Sequence, residues 1–235
     1  IVKGEKIETD YKEGDFYFMH RNFPLDAVRT IKDVYTKRLP DAYGFDPATQ
    51  IQVLCPSKKG DIGTVNLNQV LQETLNPSEK GKAEYNTGYR IFREGDKVMQ
   101  TKNNYNIHWE SPNDEGDGIF NGDIGFIEII DIAHDAVVID FSGKRATYTK
   151  EQLTEIELAY AVTVHKSQGS EFDAVVIPMI SVNNKLCYRN LLYTAVTRAK
   201  KLLILVGTTG CLNSMIDNNK TQLRYSSLKH FMLDN

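Results

Sequence analysis

The chain has little cysteine, a single tryptophan and no long apolar run. Cys55, Cys187 and Cys211 are odd in number and far apart, and no CxxC or Cys/His cluster marks a zinc site, so no metal site is expected. They fit small core positions in a reducing cytosol. No apolar stretch reaches the ~20 residues that span a bilayer, and no signal peptide opens the chain. A cytoplasmic location without a membrane partner is expected. Neither sign of charge dominates: 28 Lys and Arg against 31 Asp and Glu leave a net charge of −3. That argues against a chain coated in basic charge. Local basic patches remain at Lys58-Lys59, Lys97 to Lys102 and Arg198 to Lys201, each of which also reads as a solvated face. There is no GxxxxGK[ST] loop and no obvious acidic metal ligand following a strand, so the usual phosphate cradle and Mg²⁺ ligand of an NTPase are missing. The first residue is Ile1 rather than Met, and the sequence is expected to be a piece of something longer.

What is present is an ordinary globular composition, 41% hydrophobic and 25% charged, in two rhythms. Phe16 to Met19 reads as a strand. From Pro24, Leu25, Val28, Ile31, Val34 and Tyr35 recur at helical spacing to about Leu39, and Asp41 to Pro47 reads as a loop. Ile51 to Cys55 is a short buried strand, followed by a polar glycine-bounded loop and a helix carrying Leu67, Val70, Leu71 and Leu75. Between Ala83 and Leu153 short strands alternate with turns at Asn121-Gly122 and Ser142-Gly143. Asn113 to Gly118 reads as an acidic mobile loop tip. After Glu155 the α/β rhythm returns, with strands over Leu158 to Val164, Ala174 to Pro178 and Leu202 to Val206 and a helix through Leu191 to Ala199. The expected fold is α/β. A parallel-sheet domain, residues 1–83 plus 154–235, is interrupted by a small all-β barrel at residues 84–153.

Two late segments hold most of the chemistry. In Thr163-Val-His-Lys-Ser-Gln-Gly-Ser-Glu-Phe172, Thr163, His165, Lys166 and Ser167 can all donate to phosphate oxygens. Gly169 allows close backbone approach, and Glu171, an acceptor when ionised, suits a sugar hydroxyl. A solvated strand-to-helix loop explains the same residues. In the second segment Asn190, Thr194, Thr197 and Arg198 fall opposite the apolar helix face. Arg198 suits either stabilisation of charge on a transferred phosphoryl group or an ordinary place in a last helical turn. The two segments are close enough in sequence for one helix movement to couple them.

Together they resemble late motifs of superfamily-one helicases. Thr163, His165, Gly169, Glu171 and Phe172 match the first motif, and Tyr193, Thr197, Arg198 and Ala199 match the second. Gln168 before the glycine is similar to the RecD branch. Gln52 to Gly60, Leu67 to Gln72, Gly95 to Tyr105 and Ile119 to Gly125 extend that resemblance over most of the chain. It implies a second RecA-like motor domain of P-loop NTPase type, with an SH3-like β-barrel insertion.

The resemblance further implies that Arg198 is an arginine finger and that Gly169 and Glu171 border the nucleotide. Thr163, His165, Lys166 and Ser167, with Ser57 and Lys58, would border single-stranded DNA, as would Asn103, Asn104 and Tyr105 in the barrel. Tyr105 could stack on a base or serve as a barrel aromatic. ATP and Mg²⁺ would be held mainly by a preceding RecA-like domain, and other repair subunits are possible partners. The implied function is part of an ATP-dependent DNA helicase travelling five-prime to three-prime, without ATPase activity of its own. The alternatives are a stand-alone nucleic-acid-binding module and, less well supported by the residues, a nuclease.

Overall fold

A computed structural model describes residues 1, 3–10, 14–88, 90–180 and 187–219. Five parallel strands form one sheet: β1 (Phe16–His20), β2 (Ile51–Cys55), β12 (Ala161–Thr163), β13 (Phe172–Met179) and β14 (Ala199–Gly207), in the order β1-β14-β13-β2-β12. Both faces are covered, which is why these strands read as continuous apolar runs. Ile51, Val53, Ala174, Val176, Leu202 and Ile204 face one core, with α1 (Pro24–Asp33) and α3 (Thr64–Leu75). Leu54, Val175, Ile177 and Leu205 face the other, with α4 (Arg189–Val196) and α5 (Thr209–Asp217). The helix begun at Pro24 outruns its expected end. A π-helical turn at Val34–Arg38 leads into α2 (Leu39–Tyr43), which stops at Gly44, so the following loop starts later than Asp41. Leu25 is exposed rather than part of the core face.

The second sheet is antiparallel. Its strands are β5 (Lys97–Gln100), β6 (Asn104–Ser111), β7 (Asp114–Ile119), β8 (Ile124–Asp131), β9 (Ala136–Phe141), β10 (Lys144–Thr149) and β11 (Ile156–Leu158), in the order β11-β5-β8-β9-β10-β6-β7. A hairpin of β3 (Glu84–Asn86) and β4 (Ile91–Arg93) shares its core through Tyr85 and Phe92. Of the expected loop tip at Asn113 to Gly118, Asn113 lies in the turn and the rest belongs to strand β7. Its register sets Trp109 opposite Gly116, where a Cβ atom would lie 2.7 Å from the indole. The absent side chain lets the ring lie flat on the strand.

The run from Leu158 to Val164 is two strands rather than one. β11 joins the antiparallel sheet and β12 the parallel one. The crossover between them is bound on its polar edges: Asn68 donates to the carbonyls of Leu158 and Ala161 and accepts from Ala161 N, and Gln52 donates to those of Ala159 and Tyr160. Beside it, buried Asp96 accepts hydrogen bonds from Gln72 at 2.6 Å, Asn76 at 2.7 Å, Tyr160 at 2.9 Å and Arg93 N at 2.8 Å. Burial raises the Asp96 pKa, and these four bonds limit the rise. Helix α3, β4, β5 and the crossover are thereby held at one polar joint. Lys97, expected in a surface basic patch, is buried in this joint with Nζ 3.3 Å from the Ile51 carbonyl.

Candidate nucleotide and nucleic-acid interface

Strand register assigns the two ends of the Thr163 to Phe172 segment to opposite edges of the parallel sheet. Thr163 pairs with Cys55 at the carboxyl edge, level with Pro178 by continuation of the β2–β13 register. Phe172 opens β13 at the amino edge, paired with Ala199. The six residue steps between these levels measure about 20 Å. The segment therefore crosses the sheet, first as a 3₁₀ turn, Val164–Ser167, and then through a tight turn at Gln168-Gly169, closed by Ser170 N on the Ser167 carbonyl. No single helix joins its ends.

At the amino edge, Glu171 and Arg198 immediately precede the paired residues Phe172 and Ala199. Helix α4 ends at Val196 with Thr197 as its cap, so Arg198 stands in the turn after the helix rather than on its polar face. Its main chain is tied to β13 through Phe172 N, 2.9 Å from the Arg198 carbonyl. The guanidinium donates to the Thr194 carbonyl at 3.2 Å, the Ser170 carbonyl at 3.1 Å and Thr197 Oγ1 at 3.3 Å. All three acceptors are neutral. Among the described residues no carboxylate lies within ion-pair distance of it, so its charge is oriented but not offset. Glu171 is exposed and 3.6 Å from Lys200. Gly169 adopts φ +89°, with open space where a Cβ would be. That conformation suits glycine and leaves the backbone approachable.

At the carboxyl edge the DNA candidates of the parallel sheet gather. Ser57 and Lys58 follow β2, while Thr163, His165, Lys166 and Ser167 follow or end β12. Ser57 Oγ donates to the Lys59 carbonyl. His165 is exposed, with Nε2 3.1 Å from the Tyr188 hydroxyl at the start of α4. Ser167 is buried and its hydroxyl donates to the Val164 carbonyl, so it stabilises the 3₁₀ turn from within. Lys58 and Lys166 both reach Glu157, at 2.9 and 3.3 Å, and Arg90 joins them at 3.1 Å. Burial tends to raise the Glu157 pKa, but the Lys58 hydrogen bond and the charges of Lys166, Lys58 and Arg90 hold it below the usual carboxylate value. Lys166 is shifted below the usual lysine value, first by burial and then by repulsion from Lys58 and Arg90, against the pull of Glu157.

The candidates of the antiparallel sheet approach the same edge. The Asn121-Gly122 turn lies against Lys166, whose carbonyl is 3.7 Å from the position of a Gly122 Cβ. Asn103 Oδ1 accepts from Asn121 N at 2.9 Å. The Asn104 side chain is engaged internally, its amide donating to Glu155 and its carbonyl accepting from Asn106 N. Tyr105 is 66% exposed and packs edge-on to Phe120 at 5.6 Å, which removes it from the core. Sequence reasoning missed Arg90, Glu157 and Phe120. Arg90 and Glu157 are 67 positions apart, and no local spacing could have paired them.

A parallel sheet covered on both faces, with polar groups at both strand ends and an antiparallel module beside it, defines a RecA-like α/β domain. Residues 67–141 match the family model of the ATP-dependent RecD-like DNA helicase SH3 domain. Residues 158–206 match the UvrD-like helicase C-terminal domain. The chain is 37% identical over 158 residues to the ATP-dependent RecD2 DNA helicase of Deinococcus radiodurans, covering 67% of this chain and 20% of that protein. It is 30% identical over 166 residues to the RecBCD enzyme subunit RecD of Mycolicibacterium smegmatis, covering 71% and 26%. A solved structure of Bacteroides Pif1 bound to ssDNA is similar over 89% of this chain and 53% of that one, at 14% identity and a TM-score of 0.44. The chain belongs to the RecD-like helicase family, as a UvrD-like C-terminal domain with an SH3-like insertion. It spans about a fifth to a quarter of the length of these curated relatives.

Proposed function

We propose that this chain is the part of an ATP-dependent DNA helicase that completes the ATP site and carries part of a single-strand track for five-prime-to-three-prime movement. Residues 1–83 with 154–235 would act as the second motor domain, and residues 84–153 as an SH3-like barrel resting on it. The observation that carries this reading is the oriented, acid-free guanidinium of Arg198 beside Glu171 and Gly169. A cation held only by neutral oxygens suits charge that arises on an anion during a reaction.

The residues present fit a bound nucleotide. Arg198 would donate to terminal phosphate oxygens, Glu171 would accept from a ribose hydroxyl, and the open backbone at Gly169 would allow close approach. ATP, when bound with Mg²⁺ mainly by a preceding RecA-like domain, supplies the phosphoryl group that is transferred to water. Arg198 stabilises the charge that accumulates there, an effect worth roughly 10³–10⁵ in rate in well-studied NTPases. At the other edge Lys58, Lys166, His165 and Thr163 line the strand path, with Asn103 and Tyr105 continuing it onto the antiparallel sheet. The two consecutive turns between these edges link strand contact to nucleotide contact.

In the full-length protein Arg198→Ala is expected to abolish ATP turnover while ATP and DNA binding persist. Loss of DNA binding with the fold intact would refute the assignment. This chain alone is expected to hydrolyse no ATP. Salt-dependent strand binding by the full-length protein that never responds to nucleotide would favour a binding module instead.

A further inference from the structure

Three cations from three separate segments meet on one carboxylate where the sheets join. Glu157 Oε1 lies 2.9 Å from Lys58 Nζ and 3.1 Å from Arg90 Nη2, and Oε2 lies 3.3 Å from Lys166 Nζ. Lys58 comes from the loop after β2, Lys166 from the 3₁₀ turn after β12, and Arg90 from the connection between β3 and β4. The Arg90 fork is also fixed by Nη1, which donates to the Ile156 carbonyl at 2.7 Å. Lys58 and Lys166 by themselves set two positive charges against this single carboxylate. Cationic heads grouped within ~3 Å of the same carboxylate repel one another, which makes the assembly receptive to further negative charge.

The surroundings provide room for such a group. Lys58, Arg90 and Glu157 line part of a cavity of about 400 Å³ between α3 and the β3–β4 hairpin. Asn68, Gln72 and Ile91 also line it. A carboxylate and a phosphodiester present comparable pairs of anionic oxygens to lysine and arginine, and the planar arginine fork accepts either in a two-point arrangement.

We propose that this cluster is a phosphodiester site for single-stranded DNA, and that Glu157 occupies it as an internal counter-ion which the strand phosphate displaces. This rests on the strand-track reading above and adds Arg90 and Glu157 to it. Glu157 keeps the three cations gathered and their side chains ordered when no strand is present. A strand phosphate must compete with it, which weakens binding and speeds release. Arg90 brings the β3–β4 hairpin onto the same phosphate as the lysines of the parallel sheet.

The test is a fluorescence-anisotropy titration of this chain with labelled oligothymidylate over a salt series, comparing wild type, Glu157→Gln and Arg90→Gln. Glu157→Gln is expected to tighten binding about three- to tenfold at low salt and to steepen the salt dependence. Arg90→Gln is expected to weaken binding several-fold and to flatten the logarithmic salt slope by about 0.7, the value for one lost single-strand phosphate contact. Inorganic phosphate at matched ionic strength is expected to leave the oligonucleotide bound; its displacement would overturn the strand assignment. Unchanged or weaker binding by a folded Glu157→Gln chain would overturn the displacement. Should that variant fail to fold, an Arg90→Gln chain with wild-type affinity and slope would overturn the site. Failure of the wild-type chain to bind oligothymidylate would instead count against the strand track itself.

Discussion

Arg198 and the Lys58–Arg90–Lys166 cluster stand at opposite edges of one parallel sheet and solve different electrostatic problems. Arg198 is anchored by three neutral acceptors, and among the described residues no carboxylate offsets its charge. The cluster holds its own carboxylate, so its charge is partly spent before any ligand arrives. An uncompensated, fixed cation is suited to charge that appears briefly in a transition state, because no internal ion must be displaced. A compensated cluster is suited to a ligand that must be gripped and released repeatedly, because the internal acid lowers the cost of leaving. The buried Asp96 joint ties α3, the hairpin whose connection carries Arg90, and the crossover that follows Glu157 into one geometry.

The comparison can be broken most sharply at Arg198. In the full-length protein Arg198→Ala should reduce ATP turnover by about 10³-fold or more and leave the salt dependence of oligothymidylate binding unaltered. A flatter salt slope would show that the two edges are not electrically distinct. The joint comes next. Asp96→Ala strands four buried donors and should cost about 3 kcal/mol in chemical denaturation. A loss below about 1 kcal/mol would mean that apolar packing, rather than the polar hub, orders the two sheets.

Lys97 gives a pH signature to the same joint. Burial lowers its pKa from 10.5 to about 7, with Asp46 pulling weakly the other way. Between those values the unfolded chain holds a proton that the folded chain has released, so stability should rise with pH from about 7. Lys166, also lowered, acts in the same sense. The gain should reverse at higher pH. Cys55, normally ionising near 9.0, and Tyr35, Tyr148 and Tyr160, near 10.0, are all pushed upward by burial and stay neutral only when folded. Thermal midpoints measured against pH should therefore peak between about 8 and 10. Lys97→Met should flatten the rising limb and add about 1–2 kcal/mol at pH 7; a destabilised variant with the limb intact would remove Lys97 as its source.

The smallest expected effect is at Lys166. Lys166→Ala should weaken oligothymidylate binding several-fold and flatten the salt slope by about 0.7. If Arg198→Ala and Lys166→Ala change strand binding equally, the division of labour between the edges is wrong.

Much of the parallel sheet was legible because its strands are covered on both sides. Leu202 to Val206 announces itself as an unbroken apolar run, and Ile51 to Cys55 as one interrupted only by Gln52. Helix α3 was readable from Leu67 and Leu71 at helical spacing. Strand β7 was hidden because Asp114 to Gly118 carries charge and glycine, and only the facing Trp109 on β6 makes it a strand. The run at Leu158 to Val164 concealed a change of sheet because the features that divide it, Asn68, Gln52 and Asp96, lie far away in sequence. Lys97 read as a surface charge because nothing local signals that its side chain reaches the Ile51 carbonyl of β2. Of the site, Thr163, Lys166, Glu171 and Arg198 stood out by motif. The internal bonds of Ser167 and Asn104 were invisible until their partners Val164 and Glu155 were in place.

The sequence by itself determined the alternation of apolar residues that makes two kinds of sheet, and the two late motifs that carry the family resemblance. Both are local patterns, set by side-chain period and by residues within one short segment. The tertiary structure alone decided that Thr163 and Glu171 face opposite edges, that Arg198 is held by neutral acceptors, and that Lys58, Arg90 and Lys166 share Glu157. Those outcomes depend on strand register and on contacts between residues as far apart as 99 positions, where the energy of an ion is set by neighbours that only folding brings within reach.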